Sequence, residues 1–184
     1  MARLQAPAKA GVHNTLVNRW NSGTGLVVFN GPASIQQWAT RDQTNGNFID
    51  FFHFNDIATL TNGSKLPVVL DMTCFTGAYQ TAGLETVDEG LVLAANGGAL
   101  ATWGSTGMGL TANHEYLAEG FIAAIVSHPN ARLGQAALQG KLTLIANNPL
   151  NSYLVDSFNL LGDPTSILSF NDVQSCNFIP SVIR

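Results

Sequence analysis

The chain has 184 residues, of which 46% are hydrophobic, and this is enough for one globular domain with its own core. Only 11% of the residues are charged, and 8 lysines and arginines face 12 aspartates and glutamates. The resulting net charge of -4 excludes the basic footprint of a nucleic-acid-binding domain. Asparagine, serine, threonine and glycine take the place of charged residues, a composition that favours an extracellular or cell-surface domain.

The chain carries no sequence signal for a membrane span or a zinc cage. The longest uncharged stretch, 90–113, has the length of a bilayer span, but glycine, asparagine, serine and threonine interrupt it. The N-terminal sequence MARLQAPAKAG lacks the apolar segment of a signal peptide. Two cysteines, Cys74 and Cys176, permit at most one internal disulfide and are too few for a cysteine-rich metal site. We therefore expect neither a catalytic metal nor an organic cofactor.

The first half of the chain predicts two buried strands. Apolar residues recur at helical spacing over 14–20, which ends at an Asn-Ser-Gly group, and a β-branched strand is predicted over 25–30. A weaker helical pattern covers 49–60. After an Asn-Gly turn, the apolar run 66–71 predicts a second buried strand, and Cys74 lies just beyond its end.

The second half predicts a third strand between helices. A helix over 87–95 is stopped by an Asn-Gly-Gly group, and the buried strand 99–104 follows. Apolar residues at helical spacing predict a further helix over 116–127, with Asn113 as its N-cap. The next helix is predicted over 133–146.

The order of these elements indicates one fold class. Neither a repeat nor a long linker divides the chain, so we interpret 1–184 as a single domain with an irregular tail at 166–184. Asp163 and Pro164 predict a turn, because proline disfavours the α region for the residue before it. Short buried strands that alternate with helices predict an α/β fold, with a parallel sheet covered by helices on both faces. Function in such sheets lies beyond the carboxyl ends of the strands.

Cys74 is the first candidate for chemistry at that edge. Loops of small and polar residues follow the three predicted strands, at 30–34, 71–77 and 104–109. If the strands are neighbours, these loops line one cleft, and an accessible thiol there suits a nucleophile because the thiolate is the reactive form. The alternative is that Cys74 is a small buried apolar residue. We interpret Cys176 as structural or free.

A cysteine nucleophile needs a base within hydrogen-bond reach. His13 precedes the first helix and His128 follows a helix, so we expect both to be solvated. His53 lies among phenylalanines, where a partly buried imidazole is expected. His114 opens the helix after the loop 104–109. It is therefore the histidine that the predicted topology places on the cleft side of the sheet.

Other sequence signals are weaker. The loop 104–109 follows a strand but matches neither dinucleotide-binding nor P-loop spacing, so we interpret it as a pocket wall rather than a nucleotide site. Asp42, Asp50 and Asp56 are candidate ligands of a structural calcium ion, although solvated carboxylates are the default without EF-hand spacing. Asn62 begins an Asn-Gly-Ser glycosylation sequon. The three tryptophans are expected in the core or in pocket walls.

Three segments, taken in order, resemble the gingipain family of cysteine peptidases. They are LPVVLDMTCFTGAY at 66–79, GGALATWGST at 97–106 with Glu89 before it, and YLVDSFNLLGDP at 153–164. The resemblance runs from 14 to 164, about the C-terminal half of that family's catalytic domain. It implies a caspase-like α/β fold and peptide-bond hydrolysis, with Cys74 as the nucleophile.

The resemblance also marks a departure from the family. There, the strand before the cysteine strand ends in an aromatic-x-Gly-His-Gly/Ala-Ser pattern with a tryptophan soon after, and the histidine is the base. The segment FNGPAS at 29–34 and Trp38 fall on this pattern, but Pro32 occupies the histidine position. Proline has neither a titratable group nor a backbone N–H, so it cannot accept the thiol proton. The N–H groups of Ala33 and Cys74 would correspond to the oxyanion donors.

By the same resemblance, the loop after the third strand forms the wall of the specificity pocket. Ser105, Thr106 and Met108 are then the expected pocket residues. His114 is the candidate substitute for the missing base. The strands that precede the histidine strand in the family are absent here, so we expect an incomplete sheet, completed by a missing N-terminal half, a partner chain or self-association.

Two functions therefore remain open. The first is a cysteine endopeptidase that acts on a peptide or protein through Cys74 and is inactive or weakly active because of Pro32. The second is a catalytically dead relative that binds peptides or serves assembly. A Rossmann-like nucleotide binder is a third interpretation.

Overall fold

The computed structural model describes residues 6–41, 45–109 and 112–168. In these residues the elements follow the order α1 (Ala6–Gly23), β1 (Leu26–Asn30), β2 (Ala33–Ser34), β3 (Gln37–Arg41), β4 (Phe48–His53), β5 (Val68–Met72), α2 (Val87–Leu93), β6 (Ala101–Ser105), α3 (His114–Ser127), α4 (Leu133–Asn147), α5 (Tyr153–Ser157) and β7 (Phe158–Gly162). Short 3-10 helices span Phe54–Thr59 and Pro149–Asn151. Among the described helices, none has the length and apolar character to cross a membrane.

The main sheet confirms the predicted α/β class. Its strand order is β1-β5-β6-β7, with β1, β5 and β6 parallel to one another. These three strands are the apolar runs that the sequence predicts, and their side chains are almost wholly buried, as expected for parallel strands covered on both faces. Strand β7 was not predicted, and it pairs antiparallel with β6 at the sheet edge.

Alternate side chains of the strands divide the core into two faces. One, the α3–α4 face, is packed by helices α3 and α4, and its buried members include Val28, Leu70, Met72, Trp103, Phe121 and Phe158. The other, the Trp38 face, is packed by α1, α2 and the smaller sheet, and its buried members include Trp20, Val27, Phe29, Trp38, Phe52, Val69 and Leu91. All three tryptophans are core residues, at 1% exposure or less.

Two glycines let α3 and α4 pack closely against each other and the sheet. A β-carbon at Gly120 would lie 2.7 Å from the Cα of Gly140. A β-carbon at Gly140 would lie 2.5 Å from the Trp103 ring. Both positions therefore exclude larger side chains, and the helices cover the sheet without a gap at Trp103.

A three-stranded antiparallel sheet, β2-β3-β4, corrects the prediction for 49–60. The helical prediction was wrong for the first part of that range, which is β4, while the rest forms the 3-10 helix Phe54–Thr59. Phe52 pairs with Trp38 across the strands, and their rings lie 5.2 Å apart. Aromatic packing on the tryptophans thus overrides a weak helical periodicity. Asp56 caps the 3-10 helix by accepting the His53 N–H at 2.7 Å.

The predicted helices are confirmed with shifted ends. Helix α1 is longer than 14–20, and α2 ends at Leu93. Asn113 does precede α3, but the predicted capping bond is wrong, because its backbone has φ 82° and its side chain accepts from Asn148 instead. The turn at Asp163 and Pro164 is confirmed, and the residues before it form α5 and β7.

Only the start of the predicted irregular tail falls within the described residues. Ile167 bridges Arg132 in antiparallel fashion, and the Ser166 carbonyl accepts the Leu133 N–H at 2.9 Å. Residues 169–184, and with them Cys176, lie outside the described residues.

The sequon asparagine has a structural role. Asn62 is 4% exposed, and its Nδ2 donates to the carbonyls of Lys65 and Gly98 at 2.8 and 3.1 Å. Its Oδ1 accepts the Gly98 N–H at 2.9 Å. A glycan would attach to this nitrogen, which is buried and donates two hydrogen bonds. The folded chain therefore does not offer Asn62 for glycosylation.

Candidate active site

The carboxyl ends of the parallel strands bring the predicted loops to one edge of the sheet. The last pair between β1 and β5 is Asn30 with Met72. Pro32 and Cys74 each lie two residues beyond that pair, in the loops that follow two strands spaced about 4.8 Å apart. Pro32 and Cys74 thus occupy matching positions past neighbouring strand ends.

The loop after β5 is held against the loop after β6. We call residues 73–77 the Cys74 loop. The Phe75 N–H donates to the Gly107 carbonyl at 3.1 Å, and the Gly77 N–H donates to the Ser105 carbonyl at 3.0 Å. The hydroxyls of Thr73 and Thr76 lie 3.1 Å apart inside the loop. These bonds fix the backbone on both sides of the cysteine.

Cys74 itself is half-buried and reduced. Its thiol donates to the Gly109 carbonyl at 2.9 Å, so the acceptor is an amide oxygen rather than a basic nitrogen. Phe75, the next residue, has φ 62°, a left-handed conformation that costs a bulky residue strain. Such outliers persist where the surroundings over-determine the backbone.

Pro32 is exposed at the start of the smaller sheet. Its carbonyl accepts the Ala39 N–H at 2.9 Å, which anchors the turn from β1 into β2. The next residue, Ala33, is half-buried and pairs with Trp38. The proline side chain offers no proton acceptor.

The three predicted pocket residues differ in how much they present to a ligand. Ser105 is fully buried, and its hydroxyl donates to the Gly107 carbonyl at 3.0 Å within the same loop. Thr106 is half-buried, and its hydroxyl donates to the Ser157 carbonyl at 3.1 Å. Met108 is 71% exposed and is the one of the three whose side chain is open to solvent.

His114 lies behind the Cys74 loop, fully buried on the α3–α4 face. Its ring packs edge-on against Phe158 with centroids 5.2 Å apart. A β-carbon at Gly109 would lie 2.5 Å from its Nε2, so Gly109 touches His114 on one side and accepts the Cys74 thiol on the other. Burial lowers the pKa of His114, while the nearby Met72 backbone acts in the opposite direction. The imidazole is therefore neutral at neutral pH.

The other predicted histidines lie away from the cleft. The prediction that His13 is solvated was wrong, because it is half-buried and its Nδ1 lies 3.0 Å from the Phe51 carbonyl. His128 is exposed at the end of α3, as predicted. His53 is half-buried, as predicted, and its Nδ1 accepts the Asn55 N–H at 3.1 Å.

Of the acidic residues considered for calcium, Asp50 lies in β4 and Asp56 lies in the 3-10 helix that follows it. Asp56 is committed to the His53 N–H, and its carboxylate lies 3.7 Å from the His13 imidazole. Asp42 lies outside the described residues. Within 6–41, 45–109 and 112–168, no group of three or more metal-ligating side chains occurs.

A family model decides the lineage, because peptidase family C25 matches residues 3–169, nearly the whole chain. The chain belongs to peptidase family C25. The match spans both Cys74 and Pro32.

Solved structures support the fold of this C25 chain. It is similar to the Arg-specific cysteine proteinase gingipain R (RgpB), with a TM-score of 0.74 and 20% identity over 84% of the chain and 36% of that structure. A complex of the Porphyromonas gingivalis RgpB pro- and mature domains matches with a TM-score of 0.71 and 19% identity, over 85% of the chain and 37% of that one. A structure described only as a protease matches with a TM-score of 0.72 and 14% identity, over 89% and 38%. The chain thus spans little more than a third of these structures. No curated protein matches it.

The C25 chain also contains a buried acid pair that sequence reasoning missed. Asp71 and Asp88 are both fully buried on the Trp38 face, and each is the other's nearest acid. Burial raises the pKa of Asp71 well above its ordinary value, and the charge of Asp88 adds to this. Burial likewise raises the pKa of Asp88, to about 6. The sequence signal was Asp71 itself, the one acid in the apolar run 66–71, which we interpreted only as the end of the strand.

Proposed function

We propose that this chain carries the nucleophile side of a gingipain-type endopeptidase cleft, in which Cys74 attacks a peptide carbonyl and turnover is slow or absent because Pro32 replaces the base. The observation that carries this proposal is the matching position of Pro32 and Cys74 beyond neighbouring parallel strands. Membership of family C25 and the strained backbone after Cys74 support it.

The chemistry divides between groups the chain keeps and one it has replaced. Attack forms a bond from Sγ to the carbonyl carbon and places the C=O π electrons on the oxygen, while the thiol proton passes to a base. The C–N bond then breaks as that proton moves to the leaving amine, and water hydrolyses the resulting thioester to release the acid and restore the thiol. The backbone N–H groups of Ala33 and Cys74 would bind the oxyanion. The N–H groups of Thr73, Phe75 and Gly77 each donate within or beside the loop, and that of Cys74 is not among these bonds. This supports the assignment of the Cys74 N–H as an oxyanion donor.

The step for which the chain lacks an evident base is deprotonation of the Cys74 thiol. The Gly109 carbonyl that receives the S–H is too weak a base to remove the proton. His114 is neutral and touches the same glycine, so its imidazole is the candidate group of the right chemistry. Any turnover that this chain retains then depends on His114 or on a base from outside it.

Restoring the base at position 32 tests the proposal. In a Cys176→Ser background, Pro32→His should accelerate cleavage of a fluorogenic peptide mixture with varied side chains before the scissile bond. General-base catalysis contributes about 100- to 10,000-fold, so a gain of at least about tenfold is expected even from imperfect geometry.

Two variants make this gain interpretable. Pro32→Gln removes the proline ring without adding a base and should give no gain, and Cys74→Ala in the Pro32→His chain should abolish cleavage. Equal rates for the histidine and glutamine variants, with unchanged circular dichroism, would overturn the proposal.

The second candidate function is peptide capture without turnover. Pro32 favours it, because a chain that only binds peptides has no use for a base at that position. Calorimetry with the same peptides separates the two candidates. Binding that survives Cys74→Ala, together with cleavage in no variant, would assign the chain to this class.

The sheet edge and the composition support two further parts of the proposal. Strand β1 is an edge of the main sheet in the described residues, and its side chains are nearly all buried. An edge of this kind suits pairing with further chain, a partner or a second copy. Sedimentation of the purified chain distinguishes self-association from a monomer. The low share of charged residues supports an extracellular or cell-surface location, which fractionation of the producing cells would check.

A further inference from the structure

The Trp38 face contains a pair of buried acids. At the matching positions of the α3–α4 face, the side chains are apolar. Asp71 pairs in register with Phe29 on one side and Gly104 on the other. Asp88 comes from the first turn of α2 and closes over the same place. All four carboxyl oxygens are buried, and among the described residues none has a hydrogen-bond partner of good geometry. Two full charges in such a place would be strongly unfavourable.

Close packing holds the two acids together. A β-carbon at Gly104 would collide with Asp88 Oδ2, and one at Gly77 would lie 3.1 Å from the same oxygen. The Trp38 indole faces Asp71, and the Thr76 hydroxyl faces Asp88. Glycines at both neighbouring positions thus create the space that the Asp88 carboxyl fills.

The backbone of the pair holds the Cys74 loop at both ends. The Asp71 carbonyl accepts the Thr73 N–H at 2.8 Å, where the loop leaves β5. The Asp88 N–H donates to the Thr76 carbonyl at 3.2 Å, where the loop reaches α2. Separation of the two carboxyls would therefore pull on the segment that carries Cys74.

The charges around the pair are acidic. Strand β5 contributes Asp71, and α2 contributes Asp88 and Glu89. Glu89 is half-buried and accepts the Thr86 N–H at 3.0 Å. The groups that face the pair from β6, β3 and the Cys74 loop are Gly104, Trp38 and Thr76, none of which is charged. No lysine or arginine is among the groups that act on the pair in the described residues. The negative charge of the pair must therefore be reduced by a bound proton.

We propose that Asp71 and Asp88 share one proton at neutral pH and act, through that proton, as positioning residues that hold the Cys74 loop against the sheet. Asp71 keeps the proton and donates it toward the ionised Asp88. Loss of the proton leaves two buried carboxylates in contact, and their repulsion separates α2 from β5.

The expected pH dependence follows from which state binds more protons. Both acids hold their protons more tightly in the folded chain than in the unfolded one, since both pKa values are raised. The folded chain is therefore favoured at low pH, and this contribution is lost as the pH rises through about 6 and beyond. Release of the last proton, from Asp71, is the step that loosens the Cys74 loop.

Hydrogen exchange at the Cys74 loop tests the proposal, and Asp71→Asn supplies the matched variant. Asparagine at 71 donates a fixed N–H to Asp88 and mimics the protonated acid at every pH. After correction for intrinsic rates, protection of the Phe75 and Gly77 amides should fall about tenfold or more between pH 6 and pH 9 in the wild-type chain. It should stay constant in Asp71→Asn.

Two further measurements keep the test decisive. Infrared spectra at pH 7 should show the C=O stretch of a protonated carboxyl in the wild-type chain and lose it in Asp71→Asn. Glu119→Gln, at an exposed site on α3, should keep both the band and the pH-dependent protection. Absence of the band at pH 7, or the same pH-dependent loss of protection in wild type and Asp71→Asn, would overturn the proposal. Neither readout requires peptide cleavage, so failure here is distinct from failure of the proposed function.

Discussion

The two faces of the main sheet solve the same packing problem in different ways. The α3–α4 face is closed by two long helices, and Trp103 stacks on Phe121 with ring centroids 5.2 Å apart. The Trp38 face is closed by shorter pieces, and Trp38 stacks on Phe29 at 4.8 Å. On the second face the apolar packing gives way, at the carboxyl end of the strands, to Asp71 and its partner.

This difference indicates where stability and function lie. The α3–α4 face buries mainly aromatic and aliphatic side chains, together with the polar His114 at the start of α3. On the Trp38 face, the buried acids lie directly under the loop that carries Cys74. Buried polar groups without full compensation are unfavourable for stability and are found at functional sites. We infer that the α3–α4 face supplies folding energy and that the Trp38 face holds the Cys74 loop in place.

The largest effect is expected from breaking the α3–α4 face. Phe121→Ala removes a fully buried ring that stacks on Trp103 and should lower the free energy of unfolding by about 3–5 kcal/mol. Urea denaturation followed by tryptophan fluorescence measures this loss. Leu138→Ala, on the exposed side of α4, serves as the control and should change it by less than about 0.5 kcal/mol. Comparable losses would mean that α4 does not pack as described.

A smaller effect is expected from crowding the acid pair. Gly104→Ala places a methyl group against Asp88 Oδ2 and within 2.9 Å of the Thr76 hydroxyl. Overpacking of this kind costs about 1–3 kcal/mol, and hydrogen exchange at the Cys74 loop should rise with it. Gly107→Ala, a position with open space, should leave the loop unchanged. A loop that responds equally to both variants would contradict the described contact.

The smallest effect is a pH dependence that separates the two faces. Burial lowers the pKa of His114, so the unfolded chain binds its proton more tightly and stability falls as the pH drops below about 6.5. His114→Gln should flatten this acid limb in a series of thermal melts. Asp71→Asn should instead flatten the loss at alkaline pH. An acid limb that persists in the glutamine variant would place its origin elsewhere.

Much of the main sheet could be predicted because parallel strands buried on both faces are continuous apolar runs. Strands β1, β5 and β6 have this pattern, and the loops after them meet as expected. Strand β4 could not be predicted, since its strand conformation depends on aromatic contacts with Trp20 and Trp38 from distant parts of the chain. Strand β7 is only half-buried in its later residues, so it lacks the apolar run of a central strand.

Only those parts of the candidate site that depend on a single short segment of the sequence could be predicted. The position of Cys74 at a strand end follows from its own segment. The partner of Asp71 comes from α2, 17 residues further along, where an acid in the first helical turn has an ordinary reason to be. The contact that joins Cys74 and His114 through Gly109 likewise depends on how α3 packs on the sheet.

The most direct measurement of the central claim, that Cys74 lies in a peptide-binding cleft, is a comparison of labelling rates by intact mass. The chain in a Cys176→Ser background is treated with a set of peptidyl chloromethyl ketones and with the same reactive group lacking a peptide. The account predicts that at least one peptidyl reagent labels Cys74 much faster than its peptide-free counterpart, and that denaturation removes the difference. Equal rates for every reagent in the folded chain would contradict the claim.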